Sequence, residues 1–485
     1  IVELYKKTYK NLKTKMIYQN ENGKDIYKVY SVMTDWNPAE MIGISPKKLS
    51  LSLYKTLITD IVALESRKLC GYDDITGEPL MIEILDRPYI DVIISFRSFI
   101  PKTLNSKLKD KLLKYYLKKI QKNLHLHDKV EFDILFTTNT FNLKSKINKL
   151  LKLDNYNQIS FSKLEIFEIR ESLVLLTNNI LKKNLDDELQ NVYLLEEKMK
   201  ELIKNKNINT NTNNLLENII TLIKYIRKYG TLTFSNLARY GFIAKNFLDS
   251  LNEINVLNHD DIENFMLNLN TITKEINYDL YQLKNNIITK NKFLEKYGHL
   301  RPDTYNINSK TYKEDFNLYF SNLDNYNLIN NSEYQFNEKI KEKIEMLLKE
   351  NNFEIDYNNF INFIKKSIEY RELSKFLFTK SVSYLLELIK EYGRKLNISI
   401  NDLEYLDINM LLKNENIIIN LEENIKKNII LNKKSHKLSS NFILPEIFNR
   451  PEDIIEFTTL NSQPLFVTKK VICGEIININ SVNDL

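Results

Sequence analysis

Apolar residues recur every three or four positions through most of this chain. Leu104, Leu108, Leu112 and Tyr116 show the spacing near the start of the longest such stretch. The spacing gathers apolar side chains on one face of an α-helix, and so predicts an antiparallel helical domain over residues 102–440. The clearest helical segments are 162–182, 186–204, 215–229, 259–289, 333–350 and 357–395.

Residues 1–101 differ from this pattern. Short runs of β-branched and aromatic residues, Tyr27–Met33 and Ile90–Phe96, alternate there with turns that contain proline and glycine. Such runs are typical of strands, so this segment is predicted to be a mixed α/β region. The predicted fold class is mainly α, with short strands also expected in residues 441–485. Those C-terminal strands are predicted at Leu465–Lys469 and Val471–Ile479.

The composition narrows the classes of function. With 69 Lys and Arg against 63 Asp and Glu, the charge bias is weak for 485 residues. A nucleic-acid binder concentrates basic residues on one face, so this class is disfavoured. No apolar run reaches the roughly 18 residues that a membrane-spanning helix needs. Cys70 and Cys473 form no zinc or disulfide pattern, so we expect a cytoplasmic protein without a metal site.

Several catalytic motifs are absent. The closest glycines are Gly71 and Gly77, so the chain has no glycine-rich loop of the kind that cradles phosphates. It also has no nucleophile elbow and no HExxH zinc motif. His125 and His127 precede Asp128 at a predicted helix end, where solvated capping residues fit better than metal ligands. The chain alone therefore shows no machinery for binding ATP or cleaving a bond.

Three polar clusters interrupt the apolar pattern. The first, Asp35–Glu40, contains the single tryptophan and follows a predicted strand. It has the composition of a helix start, with Asp35 or Asn37 as N-cap and Pro38 at the first helical position. A strand-to-helix junction also presents free N–H groups to a ligand, so a functional interpretation stays open.

The second cluster lies in Tyr89–Pro101. Strand alternation would place Asp91, Ser95 and Arg97 on one face. Asp91 and Arg97 would then either pair with each other or bind the two charged ends of an amino acid.

The third cluster, Tyr297–Tyr305, is a polar loop between helical segments. Arg301 offers a planar set of donors to a carboxylate or phosphate, and His299 can exchange a proton near neutral pH. A helix-capping turn is the alternative, but the density of polar side chains favours a site.

These clusters, in this order, resemble the region that follows the ATP-grasp domain in phosphoenolpyruvate-synthase-like kinases. The resemblance runs from about residue 26 to the end of the chain. The chain departs from the family pattern at Asp303, where glycine is usual, and at Arg97, where asparagine is frequent, and either departure is consistent with a changed substrate. The stretches that carry the resemblance are YSVMTDWNPAEMIG at 30–43, LSLYKTLITD at 51–60, YIDVIISFRSFIP at 89–101, YGTLTFSNLARYGFIA at 229–244, YGHLRP at 297–302 and RELSKFLFTK at 371–380.

The resemblance implies a phosphotransferase of three parts. In that family an ATP-grasp domain, which binds ATP and Mg²⁺, phosphorylates a histidine on a swivelling domain. The phosphohistidine then phosphorylates a substrate that the middle domain holds. This chain resembles the middle domain, with Gly474–Ile476 similar to the start of the swivelling domain. None of its five histidines lies in a GGxxSH-type motif, so we expect the chain alone to be inactive and to hold no cofactor.

Within the family, the chain most resembles the kinases that phosphorylate L-glutamine in capsule phosphoramidate biosynthesis. For that substrate we assign Arg301 to the α-carboxylate, with Arg97 as second choice. The ammonium group is assigned to Asp35 or Asp91. The other predicted substrate-binding residues are Asn37, Ser95, Arg239 and Tyr305.

The same substrate needs a base, because an amide nitrogen is a poor nucleophile until its proton is drawn off. His299 is the predicted base, with Glu372 as second choice. We expect the polar clusters to converge on one pocket between the mixed and helical regions. A non-catalytic helical scaffold, whose polar clusters have no reason to converge, and a kinase with another small-molecule acceptor remain the alternatives.

Overall fold

The fold is mainly helical, as predicted, with a four-stranded antiparallel sheet. The predicted strands Leu465–Lys469 and Val471–Ile479, and Gly474–Ile476, lie outside the described residues. No helix in the described part of the chain is both long enough and apolar enough to cross a membrane. The computed structural model describes residues 2–19, 25–151, 159–206, 212–321, 323, 334–412, 420–440, 442 and 444–454.

The elements follow the chain in this order. The helices are α1 Val2–Lys15, α2 Pro38–Ile42, α3 Lys48–Tyr54, α4 Val62–Cys70, α5 Val92–Arg97, α6 Ser106–Lys122, α7 Val130–Asp133, α8 Leu143–Ile147, α9 Lys163–Leu181, α10 Leu185–Lys206, α11 Thr212–Tyr225, α12 Leu232–Glu253, α13 His259–Leu267, α14 Ile272–Lys284, α15 Lys290–Tyr297, α16 Phe316–Tyr319, α17 Glu338–Glu350, α18 Tyr357–Lys395, α19 Ile400–Leu403, α20 Asn409–Leu412 and α21 Leu421–Ser439. The strands are β1 Ile17–Gln19, β2 Asp25–Tyr27, β3 Tyr30–Ser31, β4 Met81–Ile84, β5 Arg87–Asp91 and β6 Ile447–Phe448.

The four-stranded sheet joins distant parts of the chain in the order β4-β5-β3-β6. Tyr30 of β3 pairs with Asp91 on one side and with Phe448 on the other. The β4–β5 hairpin turns at Leu85 and Asp86, both with positive φ, which is the geometry that two-residue hairpin loops favour. The sheet therefore fixes the start of the strand-to-helix junction that follows β3.

The predicted strand Ile90–Phe96 is wrong over most of its length. Strand β5 ends at Asp91, and the next residues form helix α5. Asp91 accepts the backbone N–H groups of Ile93 and Ile94 at 3.1 and 3.3 Å, so it acts as the N-cap of that helix. A short apolar run does not by itself distinguish a strand from a buried helix. Asp91, Ser95 and Arg97 therefore do not share a strand face.

Two large apolar cores cross the predicted boundary at residue 101. In one of them Phe96 belongs to the same cluster as Phe247 and Phe360. In the other, Ile90 belongs to the same cluster as Leu385. The 39-residue helix α18 packs along α10, α11 and α12 and contributes to both cores. The mixed region and the helices are thus packed directly on each other.

Two π-helical segments also lie in contact with each other. Lys55–Thr59 continues α3, and Ile226–Thr231 joins α11 to α12. Turns of this kind are rare and are found frequently at functional sites. Ile58 in the first segment and Phe234, three residues after the second, line the same cavity.

Candidate ligand-binding cavity

A cavity of about 310 Å³ lies between the β3–α2 junction, α4, α12, α18 and the loop after α15. Ligand sites for small molecules occupy roughly 300–1,000 Å³, so the volume suits a small molecule. Much of the wall is aromatic. The aromatic lining residues are Trp36, Tyr54, Phe99, Phe132, Phe234, Phe242, Tyr305 and Phe378.

Asp35 contributes a buried carboxylate to this cavity. Its Oδ1 accepts a hydrogen bond from Arg67 Nη2 at 2.6 Å, and its Oδ2 accepts one from Ser95 Oγ at 2.7 Å. Arg67 also donates to Ser98 Oγ at 2.6 Å and lies 3.9 Å from the centre of the Phe99 ring. A carboxylate has about four lone-pair positions, so these two bonds leave Asp35 able to accept a hydrogen bond from a ligand.

Arg239 of α12 forms a second buried ion pair at the cavity, with Glu131 of α7. Its guanidinium lies 5.2 Å from the centre of the same Phe99 ring. Arg239 Nε has no hydrogen-bond partner among the described residues, and the same is true of Thr34 Oγ1. Buried polar atoms without a partner are uncommon in proteins. Both belong to residues that line the cavity, but the two atoms themselves are enclosed by surrounding protein atoms.

The backbone next to Asp35 has an unusual conformation. Trp36 and Asn37 have φ values of 53° and 39°, in the left-handed region that bulky residues rarely adopt. The Tyr54 hydroxyl donates to the Trp36 carbonyl, and the Trp36 ring lies edge-on to Phe234 with centroids 5.9 Å apart. Strained conformations of this kind cluster at ligand sites. The junction is therefore held in a shape that the helix start alone does not require.

Arg301, the predicted carboxylate ligand, does not line the cavity. It is buried, and it donates to the carbonyls of Asn306 and Ser309 at 3.4 and 3.2 Å and to Ser383 Oγ at 2.9 Å. Its Nη2 also lies 3.6 Å from Glu387 Oε1. These bonds use the guanidinium to close the loop and to attach it to α18.

His299, the predicted base, faces α18 rather than the cavity. Its Nε2 lies 3.3 Å from the Phe376 carbonyl oxygen, and the two rings are 4.7 Å apart. Burial, assisted by the charge of Lys380, lowers the pKa of His299 to about 4, so the imidazole is neutral at pH 7. The loop that His299 helps to anchor carries Thr304 and Tyr305, which do line the cavity.

The other predicted residues are divided between the cavity and internal contacts. Asp91 binds Lys28 Nζ at 2.6 Å, and burial raises the pKa of its carboxyl group. Arg97 Nε lies 3.2 Å from Asp73 Oδ2. Glu372 is half-buried on α18 and is not a lining residue. The predicted residues that the cavity does bring together are Asp35, Asn37, Arg239 and Tyr305.

Sequence reasoning assigned no site role to six charged residues of the cavity: Glu40, Arg67, Asp128, Glu131, Arg371 and Lys375. Arg67 and Glu131 contribute to the cavity through ion pairs with Asp35 and Arg239. These partners are distant in the sequence, so no local sequence pattern predicts the pairs. Arg371 and Lys375 lie in a stretch that carries the family resemblance, at a spacing of four residues. That spacing places them on one face of a helix and was a usable signal.

One group of potential metal ligands lies away from the cavity lining. His259, Asp260 and Glu263 at the start of α13 have ligand atoms within 4.8 Å of one another, and no other such group is found in the described residues. All three are exposed. None of them lines the cavity, which contains no comparable set.

Comparisons with known proteins add no assignment. No model of a protein family matches this sequence, and no curated protein matches it. The function of the cavity must therefore be argued from its own residues.

Proposed function

We propose that this chain is the substrate-binding domain of an ATP-dependent phosphotransferase, and that the cavity holds the phosphoryl acceptor, L-glutamine. The observation that carries the proposal is the meeting of Asp35, Arg239 and Arg371 at one cavity. These residues come from three of the stretches that resemble phosphoenolpyruvate-synthase-like kinases. A helical scaffold has no need to gather them at one place.

The charges of the cavity suit a molecule that carries both signs. Asp35 and Arg67 form one buried pair, and Arg239 and Glu131 form another. At the same cavity Asp128 is a half-buried carboxylate with no ion-pair or hydrogen-bond partner among the described residues. It is suited to the ammonium group of an amino acid. Asp35 and Arg239 are buried, and a low-dielectric surrounding strengthens the contacts that such groups make.

The side-chain amide of glutamine can be matched to the buried wall. Its N–H group can donate to Asp35, whose carboxylate is fixed by Arg67 and Ser95. We assign to Asp35, rather than to His299 or Glu372, the task of drawing the proton from the amide as the N–P bond forms.

The phosphoryl donor is not part of this cavity. The proposal assigns ATP and Mg²⁺ to an ATP-grasp domain, and the transferred group to a phosphohistidine on a swivelling domain, as the family resemblance implies. Incubation of this chain alone with ATP, Mg²⁺ and L-glutamine should then give no phosphorylated product in phosphorus NMR spectra. Sustained turnover by the chain alone would overturn this part of the proposal.

The single tryptophan gives a direct test of binding, because Trp36 is a lining residue. Titration with L-glutamine should produce a saturable change in its fluorescence. Ala238→Met places a larger side chain in the cavity and should abolish that change. Ala39→Met, at a half-buried alanine outside the lining, is the matched control and should retain it.

Thermal unfolding of both variants must show that they are folded. A folded wild-type chain that gives no saturable change with L-glutamine would remove L-glutamine as the substrate. Binding of a different amino acid, lost in Ala238→Met, would favour a kinase of the same class with another acceptor. The absence of binding by any amino acid would favour the scaffold alternative.

A further inference from the structure

Two cations at the cavity have no anionic partner. Arg371 and Lys375 lie four residues apart on α18, one helical turn, and both line the cavity. In the described residues neither forms an ion pair or donates a hydrogen bond from its side chain. Phe378 and Thr379 extend the same helix face along the wall. Arg371 is half-buried and Lys375 is exposed, so both charges are solvated in the empty cavity and can be reached by an anionic ligand.

The other two cations of the cavity differ in this respect. Arg67 is 2.6 Å from Asp35 Oδ1, and Arg239 pairs with Glu131. Each of these guanidiniums is therefore neutralised within the protein. The positive charge that remains for a ligand lies on the α18 side of the cavity.

Arg371 is also held in place before any ligand arrives. Its guanidinium lies 5.4 Å from the centre of the Phe242 ring. Its aliphatic part packs on α12 at Gly241, where an added Cβ would lie 2.9 Å from Arg371 Cδ and 3.4 Å from the Ser367 carbonyl oxygen. A planar guanidinium that is already oriented loses less conformational freedom when it binds a carboxylate.

We propose that Arg371 and Lys375 form the anion subsite of the cavity, and that this subsite binds the α-carboxylate of the acceptor. The proposal rests on the proposed function for the identity of the acceptor. It replaces Arg301 and Arg97, which bind groups within the protein and do not line the cavity.

The test is a set of fluorescence titrations that use Trp36 as the reporter. The variants are Arg371→Gln, Lys375→Gln and, as control, Arg394→Gln, which removes an exposed arginine near the end of the same helix. The probes are L-glutamine, L-glutaminol, in which an alcohol replaces the carboxylate, and inorganic phosphate. Removing a charged hydrogen bond should raise the Kd for L-glutamine about tenfold to a hundredfold in Arg371→Gln. We expect a smaller rise in Lys375→Gln and none in Arg394→Gln.

L-glutaminol separates the carboxylate subsite from a general loss of the cavity. It should bind wild type weakly, and its Kd should not change in Arg371→Gln. Equal losses for both probes would overturn the subsite. Unchanged affinity for L-glutamine in both Arg371→Gln and Lys375→Gln would also overturn the subsite, but it would not contradict the proposed function. Loss of phosphate binding alone would assign the two cations to a phosphoryl group and overturn the carboxylate assignment.

If the wild-type chain does not bind L-glutamine, the proposed function is wrong, but the anion subsite can still be tested. L-glutamate, L-asparagine and phosphate then serve as probes, and loss of their binding in Arg371→Gln would support the subsite. No saturable binding of any of them would overturn it. Gly241→Ala provides an independent variant, because it displaces Arg371 without removing its charge, and it should weaken the same probes in the same direction.

Discussion

The β3–α2 junction and the loop after α15 are both rich in polar residues, yet the structure uses them in opposite ways. At the junction, Asp35 lines the cavity, and Arg67 and Ser95 donate hydrogen bonds to its carboxylate. In the loop, His299 and Arg301 turn into the protein and bind carbonyl groups. The junction thus presents charge to a ligand, whereas the loop uses charge to hold its own backbone.

The difference follows from what each backbone leaves unsatisfied. In the loop, the Ser309 carbonyl has no backbone donor among the described residues, and Arg301 supplies one. The Asn306 carbonyl already accepts from the Ser309 N–H group and takes a longer second bond from Arg301. The junction is fixed by the sheet on one side and by α2 on the other. The Asp35 carboxylate therefore keeps lone pairs for a ligand beyond its bonds to Arg67 and Ser95. Polar density in a sequence therefore does not reveal whether it serves a ligand or the chain itself.

Breaking the ion pair between Arg67 and Asp35 should have the largest effect on stability. Arg67→Ala leaves the Asp35 carboxylate buried without its cation, and should lower the free energy of unfolding by about 3–5 kcal/mol. Urea denaturation measures the loss. Lys426→Ala, which removes an exposed pair with Glu422 on α21, should cost about 0.5 kcal/mol or less. Similar losses in the two variants would show that the Arg67 pair is not a buried structural contact.

Arg301→Ala should release the loop. The Ser309 carbonyl and Ser383 Oγ lose their bonds to Arg301, and the unfolding free energy should fall by about 2–4 kcal/mol. At temperatures where the variant is folded, its affinity for L-glutamine should change far less than that of Arg371→Gln. If Arg301→Ala has normal stability but a large loss of affinity for L-glutamine, Arg301 belongs to the ligand site.

His299 should make the loop sensitive to acid. Its pKa is lowered from 6.5 to about 4, so between these values the unfolded chain binds a proton that the folded protein does not. The stabilisation is complete above pH 6.5 and is lost as the pH falls towards 4, by about 2–3 kcal/mol.

Urea denaturation between pH 7 and 4.5 tests this dependence. His299→Gln keeps a donor for the Phe376 carbonyl but cannot titrate, so its stability should fall less across the range. His259→Gln, at a histidine whose side chain is 89 % exposed, should follow wild type. Parallel curves for wild type and His299→Gln would contradict the burial of the imidazole.

The smallest expected effect concerns the strained junction. Asn37 has φ 39° and forms no side-chain capping bond. Its side chain donates only to the exposed Glu40 carboxylate, at 3.2 Å, so its main structural role is to adopt the left-handed conformation. Asn37→Ala should cost about 1 kcal/mol, since alanine disfavours this conformation. Asn37→Gly should remain within about 0.5 kcal/mol of wild type. If both variants match wild type, the junction is not strained in solution.

Much of the helical fold was predictable, because its cause is local. Regular apolar spacing located α9, α10, α17 and α18 to within a few residues. The run Ile90–Phe96 failed because a fully apolar segment has no period to measure, and the deciding feature is the capping carboxylate of Asp91.

The site was less predictable, because its residues acquire their roles only through tertiary contacts. Asp35, Asn37, Arg239 and Tyr305 were found, and their lining positions depend on neighbours far away in the chain. Glu372 was predicted as a site residue, but it is its neighbour Arg371 that lines the cavity. Adjacent residues on a helix point about 100° apart, so one position of error changes the face.

The two π-helical segments have a consequence for how this protein can change over evolutionary time. Each holds one residue more than an α-helical path would need. Deleting one residue from Ile226–Thr231 would therefore restore a regular helix without turning the face of α12, because the wide turn already absorbs the extra residue. Phe234 and Arg239 would keep their places at the cavity. A one-residue deletion inside α12 itself, between Leu232 and Arg239, has no such compensation and would turn the residues on one side of it by about 100°. Among related chains, a gap at the π-helical segment is thus compatible with a retained pocket, whereas a gap within α12 is not.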